Sequence, residues 1–146
     1  MKLIITPLEK ATQRLAEGLD RYHQDTSDEQ IRDGLIQRYE FTYELSHKLL
    51  KRYLEAISAT PSEFDSMAFS DLIRTANERG VLQGDWSDWR VYREMRNLTS
   101  HTYNEEVAIK VVKDIPKFLS EVEFLIKSLQ KGLNHVAENE EHECTR

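Results

Sequence analysis

Residues 107–136 read VAIKVVKDIPKFLSEVEFLIKSLQKGLNHV, and this stretch decides the fold class. On a helical wheel its main apolar side chains fall within one arc of about 80°, which is typical of an amphipathic helix facing a core. They are Val107, Val111, Ile115, Phe118, Val122, Leu125, Leu129, Leu133 and Val136. Pro116 lies inside the stretch, but the apolar phase is the same on both sides of it. We therefore predict one long helix with a kink at Pro116.

Similar apolar stripes predict helices over the rest of the chain. The first runs from Leu8 to about Tyr22, behind a Thr6–Glu9 capping box with Pro7 at its first position. A second capping box at Ser27 opens a long, wide-faced helix that ends near Ile57 and is expected to be central. A shorter helix covers Met67–Arg79, with Gly80 as its terminator. Asp85 is a natural N-cap for the next helix.

Composition supports a few long helices. The 146 residues include only 5 Gly and 3 Pro, whereas average usage of the two together is roughly 12%. We predict an all-α, antiparallel up-and-down bundle of four to five helices, with one domain over residues 1–136 and a flexible acidic tail over 137–146. A lone cysteine, Cys144, excludes an internal disulfide.

Charge and motif content exclude several functional classes. The net charge of −6, from 20 basic and 26 acidic residues, argues against a protein that binds nucleic acid with its whole surface. No apolar run approaches the roughly 20 residues of a membrane span, and the N-terminus lacks a secretory signal, so a cytoplasmic protein is expected. Zinc-ligand spacing and nucleotide-binding glycine motifs are missing, and so is the G-S-x-D turn of a nucleotidyltransferase. We expect no metal, no cofactor and no self-sufficient transferase.

Residues 85–103, DWSDWRVYREMRNLTSHTY, carry the most chemistry. On a wheel, Val91, Tyr92, Met95 and Leu98 can face the core. The opposite arc holds Trp86, Trp89, Arg93, Arg96, Asn97 and Ser100. A surface that combines tryptophan and arginine can bind an aromatic ring or a phosphate group of a ligand. The same combination is equally typical of a dimer interface. Ligand contact, an interface and both together remain open.

His101 follows Arg96 by five residues, about 140° around an unbroken helix, so the two converge only if the helix ends near Ser100. Asn104 and the Thr102–Glu105 pair are plausible caps for a following helix, and a break between Ser100 and Asn104 is predicted. Histidine as general acid or base with arginine on the phosphate suits metal-independent RNA cleavage. Taken alone, the spacing fits a structural histidine as well.

The long second helix adds two polar clusters. Arg38, Tyr39, Glu40 and Tyr43 are expected at the edge of the core or at an interface, with support of a cleft as the alternative. His47 is expected to pack at a surface or interface. Residues 48–52 form a basic cluster that is expected to be a solvated face, with an acidic partner or RNA as the alternative.

Residues 96–103, RNLTSHTY, match the R-x4-H-x-Y signature of HEPN domains. Three further segments resemble the nucleotidyltransferase substrate-binding family, which includes the HepT-like subunits of HepT/MntA-type pairs. They are RYEFTYELSHKLLKRYLE at 38–55, GVLQG at 80–84 and the VxxDIPxFL pattern at 111–119. The resemblance covers about residues 1–135.

This resemblance implies a helical bundle that forms a two-fold homodimer, with both motifs near one cleft. It implies that Arg96 and His101 are catalytic in ribonuclease members, and that a small partner nucleotidyltransferase adenylylates Tyr103 in the toxin branch. Our first hypothesis is a subunit that binds nucleotide or substrate for a separate transferase, through a cleft at Arg93, Arg96 and His101. The further contact residues are Asn97, Ser100 and Trp89. The alternatives are a metal-independent endoribonuclease toxin and a purely structural dimerising bundle.

Overall fold

The computed structural model describes the backbone of residues 3–144 and the side chains of residues 3–134. The helices are α1 (Thr6–Gln24), α2 (Glu29–Ile57), α3 (Phe69–Glu78), α4 (Trp86–Leu98), α5 (Glu105–Lys113) and α6 (Ile115–Cys144). Short 3-10 turns cover Pro61–Phe64 and Thr99–His101. Residues 3–144 contain no β-strand, so the predicted all-α class is confirmed. The predicted tail over 137–146 lies outside the residues whose side chains are described, and it stays a prediction.

Helix α2 is the centre of the bundle, as its wide apolar face predicts. It contacts α1, α3, α4, α5 and α6, while α1 also packs on α6. Tyr39 of α2 meets the Phe118 ring of α6 edge-on at 4.9 Å, and the Tyr39 hydroxyl donates to the Tyr92 carbonyl of α4 at 2.5 Å. Burial raises the pKa of Tyr39 far above its usual value, so this donor keeps its proton. The aromatic contacts and this hydrogen bond fix α4 against α2 and α6.

The chain between residues 107 and 136 forms two helices, so the prediction of one kinked helix is wrong. Helix α5 ends at Lys113, and Asp114 leaves the helical ladder with its N–H bonded to the Val112 carbonyl. Pro116, which has no N–H to donate, sits in the first turn of α6. Both helices bury the same stripe, including Val111 and Phe118, and for this reason the apolar phase did not reveal the break.

Helix ends follow the predicted caps only in part. Asp85 forms a capping box with Asp88, and Gly80 ends α3 with a φ of +74°, as predicted. At α2 the cap is Asp28, one residue beyond the predicted Ser27. Helix α1 begins at Thr6 without a side-chain cap, so the predicted Thr6 box does not form. None of the helices in the described part of the chain combines the length and hydropathy of a bilayer crossing.

Candidate functional site

The turn between α4 and α5 presents the end of the R-x4-H-x-Y motif to solvent. The Thr99 hydroxyl donates to the Arg96 carbonyl at 2.7 Å as α4 tightens into its last 3-10 turn. Asn104 then caps α5, its side chain accepting from the Glu106 N–H at 3.0 Å. The predicted break is confirmed. It leaves His101 exposed, with Tyr103 87% exposed and its ring 6.2 Å from the imidazole.

Arg96 is held by carboxylates of α2. Its Nε donates to Glu44 at 2.6 Å, a second guanidinium nitrogen lies 3.5 Å from Glu40, and Nη1 donates to the Thr99 hydroxyl at 3.2 Å. The side chain remains 29% exposed. Among the described hydrogen bonds, those of Arg96 go to Glu44 and Thr99 and not to His101. The guanidinium is therefore positioned at the surface with its charge already balanced.

Arg93 lies one turn before Arg96 and covers an aromatic ring of α3. Its guanidinium carbon is 5.6 Å from the centre of the Phe69 ring, within cation–π range. The edge of Phe69 meets the His47 imidazole at 4.5 Å and the Trp86 ring at 5.8 Å. Three helices thus place cations, an imidazole and aromatic rings together.

These side chains line a cleft of about 240 Å³, here called the motif cleft. Its lining residues are Tyr43, Glu44, His47, Phe69, Arg93, Arg96 and Asn97. A second depression of about 470 Å³ adjoins it and shares Arg93 and Asn97, and Trp86 and Arg90 also line it. In one concave surface, arginine and amide groups can bind the phosphate of a nucleotide, and aromatic rings can stack on its base.

Trp89 lies in the core, so its predicted place on the outward face is wrong. It is 0% exposed, and its indole Nε1 donates to Glu121 of α6 at 2.7 Å. Tyr92 and Met95 are buried with it, whereas Val91 is only half-buried. The buried face of α4 therefore runs through Trp89, Tyr92 and Met95, and the indole N–H is satisfied inside the core. Trp89 supports the cleft from below and cannot contact a ligand there.

The other predicted contact residues are where a ligand could reach them. Arg93 and Asn97 are exposed on α4, and Ser100 is exposed in the 3-10 turn beyond it. The sequence pattern missed Glu44 and Phe69, since both reach the cleft through contacts between helices. The alternative that the Arg38–Tyr43 cluster supports a cleft does hold for Glu40 and Tyr43, through Arg96 and the cleft wall.

His47 is expected to make stability depend on pH. Burial lowers its pKa, Lys51 and Arg93 act in the same direction, and Glu44 opposes them. In the unfolded chain the imidazole has a pKa of about 6.5, so as the pH falls the unfolded state binds a proton before the folded state does. The free energy of unfolding therefore decreases as the pH falls below about 6.5. We expect His47→Gln to lose less thermal stability than the natural protein between about pH 7.5 and pH 5.5. Equal losses in Tm would contradict the burial of the neutral imidazole.

Comparison with known proteins places the chain among relatives of one kind. Residues 3–131 match the family model described as "Nucleotidyltransferase substrate binding protein like". A Haemophilus influenzae protein named "Probable ribonuclease HepT" is 43% identical over 98 residues, which are 67% of this chain. That match spans 66% of the relative's own length, slightly less than two thirds.

Two solved structures share the fold. One, from Haemophilus influenzae, is described as revealing the fold of a substrate binding domain of a nucleotidyltransferase. It is 34% identical with a TM-score of 0.81, over 87% of this chain and 99% of that one. The other, from Thermus thermophilus, is 29% identical with a TM-score of 0.65, over 84% of this chain and 98% of that one.

Proposed function

Because the chain belongs to the family of nucleotidyltransferase substrate-binding proteins, we propose that it is the helical subunit that holds nucleotide or substrate for a separate small nucleotidyltransferase. The observation that supports this most is the motif cleft, where Arg93, Arg96 and Asn97 of α4 meet Phe69 of α3. Phosphate binds the guanidinium groups and Asn97, and a base stacks at Phe69 or Trp86. Ser100 adds a hydroxyl at the end of the same face.

A partner transferase and a second copy of the chain complete this proposal. The test is co-expression with a small nucleotidyltransferase encoded beside the gene, followed by affinity purification and light scattering. We expect a stable complex built on a homodimer. Failure of the two proteins to associate at micromolar concentration would contradict the partnership. Loss of ATP affinity in Arg93→Ala, within an intact complex, would locate the ligand in the motif cleft.

Glu40 competes with an anionic ligand for Arg96, so its removal is expected to strengthen binding. The contact of Glu40 is long, at 3.5 Å, whereas Glu44 holds Nε at 2.6 Å and keeps the guanidinium in place. We expect Glu40→Gln to bind ATP about twofold to fivefold more tightly, as measured by calorimetry. Glu78→Gln, which removes an exposed charge outside the cleft, is the matched control. Unchanged or weaker binding by Glu40→Gln would contradict the competition.

A metal-independent ribonuclease is the second candidate function. It is supported by the solvent-accessible Arg96, the exposed His101 and the 43% identical relative named as a ribonuclease. His101 takes the proton of a ribose 2′-OH, whose oxygen attacks the adjacent phosphorus. The bond to the 5′-oxygen breaks, that oxygen takes up a proton, and a 2′,3′-cyclic phosphate remains. Arg96 stabilises the charge that develops on the phosphoryl oxygens.

Tyr103 is the proposed point of control by the transferase. Its 87% exposure lets an enzyme reach the phenol. The phenol oxygen attacks the α-phosphorus of ATP, pyrophosphate leaves, and the phenol proton goes to solvent. The added AMP lies beside His101, whose ring is 6.2 Å away, and would obstruct it. Mass spectrometry after incubation with the transferase and ATP is expected to find AMP on Tyr103, and none on a Tyr103→Phe variant.

A further inference from the structure

A second groove lies between α1 and α2 and is lined by residues of both helices. It has a volume of about 490 Å³, and its apolar lining residues are Pro7, Ala11, Leu45 and Phe41, the last of which is 57% exposed. We call it the α1–α2 groove. Its rim carries three cations, Lys10, Arg14 and Arg38, and none of the lining residues in the described part of the chain is acidic. In a chain of net charge −6, this is a local concentration of positive charge.

Gly34 lines this groove, and Gly18 lies beside the Arg38 side chain that reaches it. Gly34 of α2 has nothing within 4 Å of where its Cβ would stand, so packing does not require a glycine there, although it costs helix stability relative to alanine. Its effect is to leave the groove open. At Gly18 of α1, a Cβ would lie 3.2 Å from Arg38 Cδ. Arg38 therefore crosses α1 at a glycine and donates to the Arg14 carbonyl at 2.8 Å, which holds its guanidinium at the rim.

The groove continues towards the motif cleft around α2. A depression of about 520 Å³ lined by Leu45, Lys48 and Lys51 shares Leu45 with the α1–α2 groove. The same depression shares Glu44 and His47 with the motif cleft. Three adjoining concave surfaces thus carry basic side chains from one face of the bundle to another. Their basic side chains and combined extent suit a flexible polyanion longer than one nucleotide.

We propose that the α1–α2 groove binds a single-stranded segment of RNA whose other end lies in the motif cleft. A base stacks on the exposed face of Phe41, and its flanking phosphates pair with Lys10, Arg14 and Arg38. The inference rests on the proposed nucleotide- and RNA-binding function of the cleft. An acidic protein segment also suits three cations, but the exposed ring beside a fixed guanidinium and the continuity with the cleft favour RNA.

Fluorescence anisotropy with two labelled RNAs tests the proposal, using the full chain with His101→Ala to prevent cleavage. One RNA is a dinucleotide that fits the motif cleft, and the other is an oligouridylate of about twelve nucleotides. We expect Phe41→Ala and Gly34→Gln each to lower the affinity for the longer RNA about tenfold. The affinity for the dinucleotide should not change. Gly34→Gln fills the groove without changing charge or meeting a neighbouring atom at its Cβ. Phe124→Ala, at a 37% exposed ring on α6, is the matched control and should have no effect.

The salt dependence gives an independent readout. Substitution of Lys10 and Arg14 by alanine should reduce the slope of log affinity against log salt concentration by about 0.7 for each phosphate contact that is lost. The control Lys127→Ala should leave this slope unchanged. Equal affinity of the protein for both RNAs, or no loss of affinity in Phe41→Ala and Gly34→Gln, would contradict RNA binding in the α1–α2 groove. Neither result would contradict binding in the motif cleft. If neither RNA binds, the groove proposal and the ribonuclease proposal both fail, while nucleotide binding for the transferase is judged by the ATP measurement. Groove variants that change the oligomeric state or transferase binding, and not RNA affinity, would overturn the RNA site and show a protein interface instead.

Discussion

Replacing Glu121 with alanine is expected to lower the free energy of unfolding by about 3 kcal/mol or more. Glu121 is 3% exposed and accepts three hydrogen bonds, from the Trp89 indole at 2.7 Å and from the Gln83 and Gly84 N–H groups at 3.0 and 2.8 Å. Its loss leaves the buried indole N–H and two partly buried backbone N–H groups without their acceptor. Each such donor costs about 1–3 kcal/mol, and partial relaxation reduces the sum.

Urea unfolding followed by tryptophan fluorescence measures this effect. Glu123→Ala, an exposed carboxylate two residues further along α6, is the matched control and should change stability by less than about 0.5 kcal/mol. Glu121→Gln should fall between the two, because an amide retains one acceptor oxygen. A loss below about 1 kcal/mol in Glu121→Ala would show that the turn before α4 is held by other contacts.

Removing the imidazole of His101 is expected to lower any RNA cleavage by at least about a hundredfold, since general acid–base catalysis contributes that much or more. Arg96→Ala should cost a similar factor, because it removes the charge that faces the phosphoryl oxygens. The measurement is single-turnover cleavage of a labelled RNA, with growth of cells expressing each variant without the transferase. His23→Ala, at an exposed histidine in the last turn of α1, is the control.

The outcomes separate the two candidate functions. Cleavage by the natural protein and by His23→Ala, but not by His101→Ala, would establish the ribonuclease. Cleavage that survives in His101→Ala would assign the activity to other residues or to a contaminant. No cleavage and unimpaired growth with every variant would exclude the ribonuclease and leave the substrate-binding function.

Local sequence signals predicted the parts of the site that depend on neighbouring residues. The break that exposes His101 was readable because Asn104 is a strong cap, and the start of α4 was readable from Asp85. Gly80 marked the end of α3 because a positive φ favours glycine. Each of these features is decided within about one helical turn, which is the range over which capping acts.

Contacts between distant residues were not predictable in this way. Trp89 is equally compatible with an exposed and a buried face, and only Glu121, which follows 32 residues later, decides in favour of burial. Glu44 reaches Arg96 across 52 residues of sequence. The break at Asp114 was hidden for a related reason, since α5 and α6 bury one continuous stripe despite being two helices. Periodicity reports which face is buried and not where a helix is interrupted.

The two indole N–H signals in an NMR spectrum of the ¹⁵N-labelled chain distinguish a ligand in the motif cleft from one bound elsewhere. Trp86 lies half-buried beside Phe69 at the edge of the motif cleft, whereas Trp89 is buried and bonded to Glu121. On titration with a short single-stranded RNA or with ATP, we predict that the Trp86 signal shifts and saturates while the Trp89 signal stays in place. The shift should be lost in an Arg93→Ala, Arg96→Ala double variant. A Trp86 signal that does not move under saturating ligand, or that moves equally in the double variant, would contradict nucleotide binding in the motif cleft.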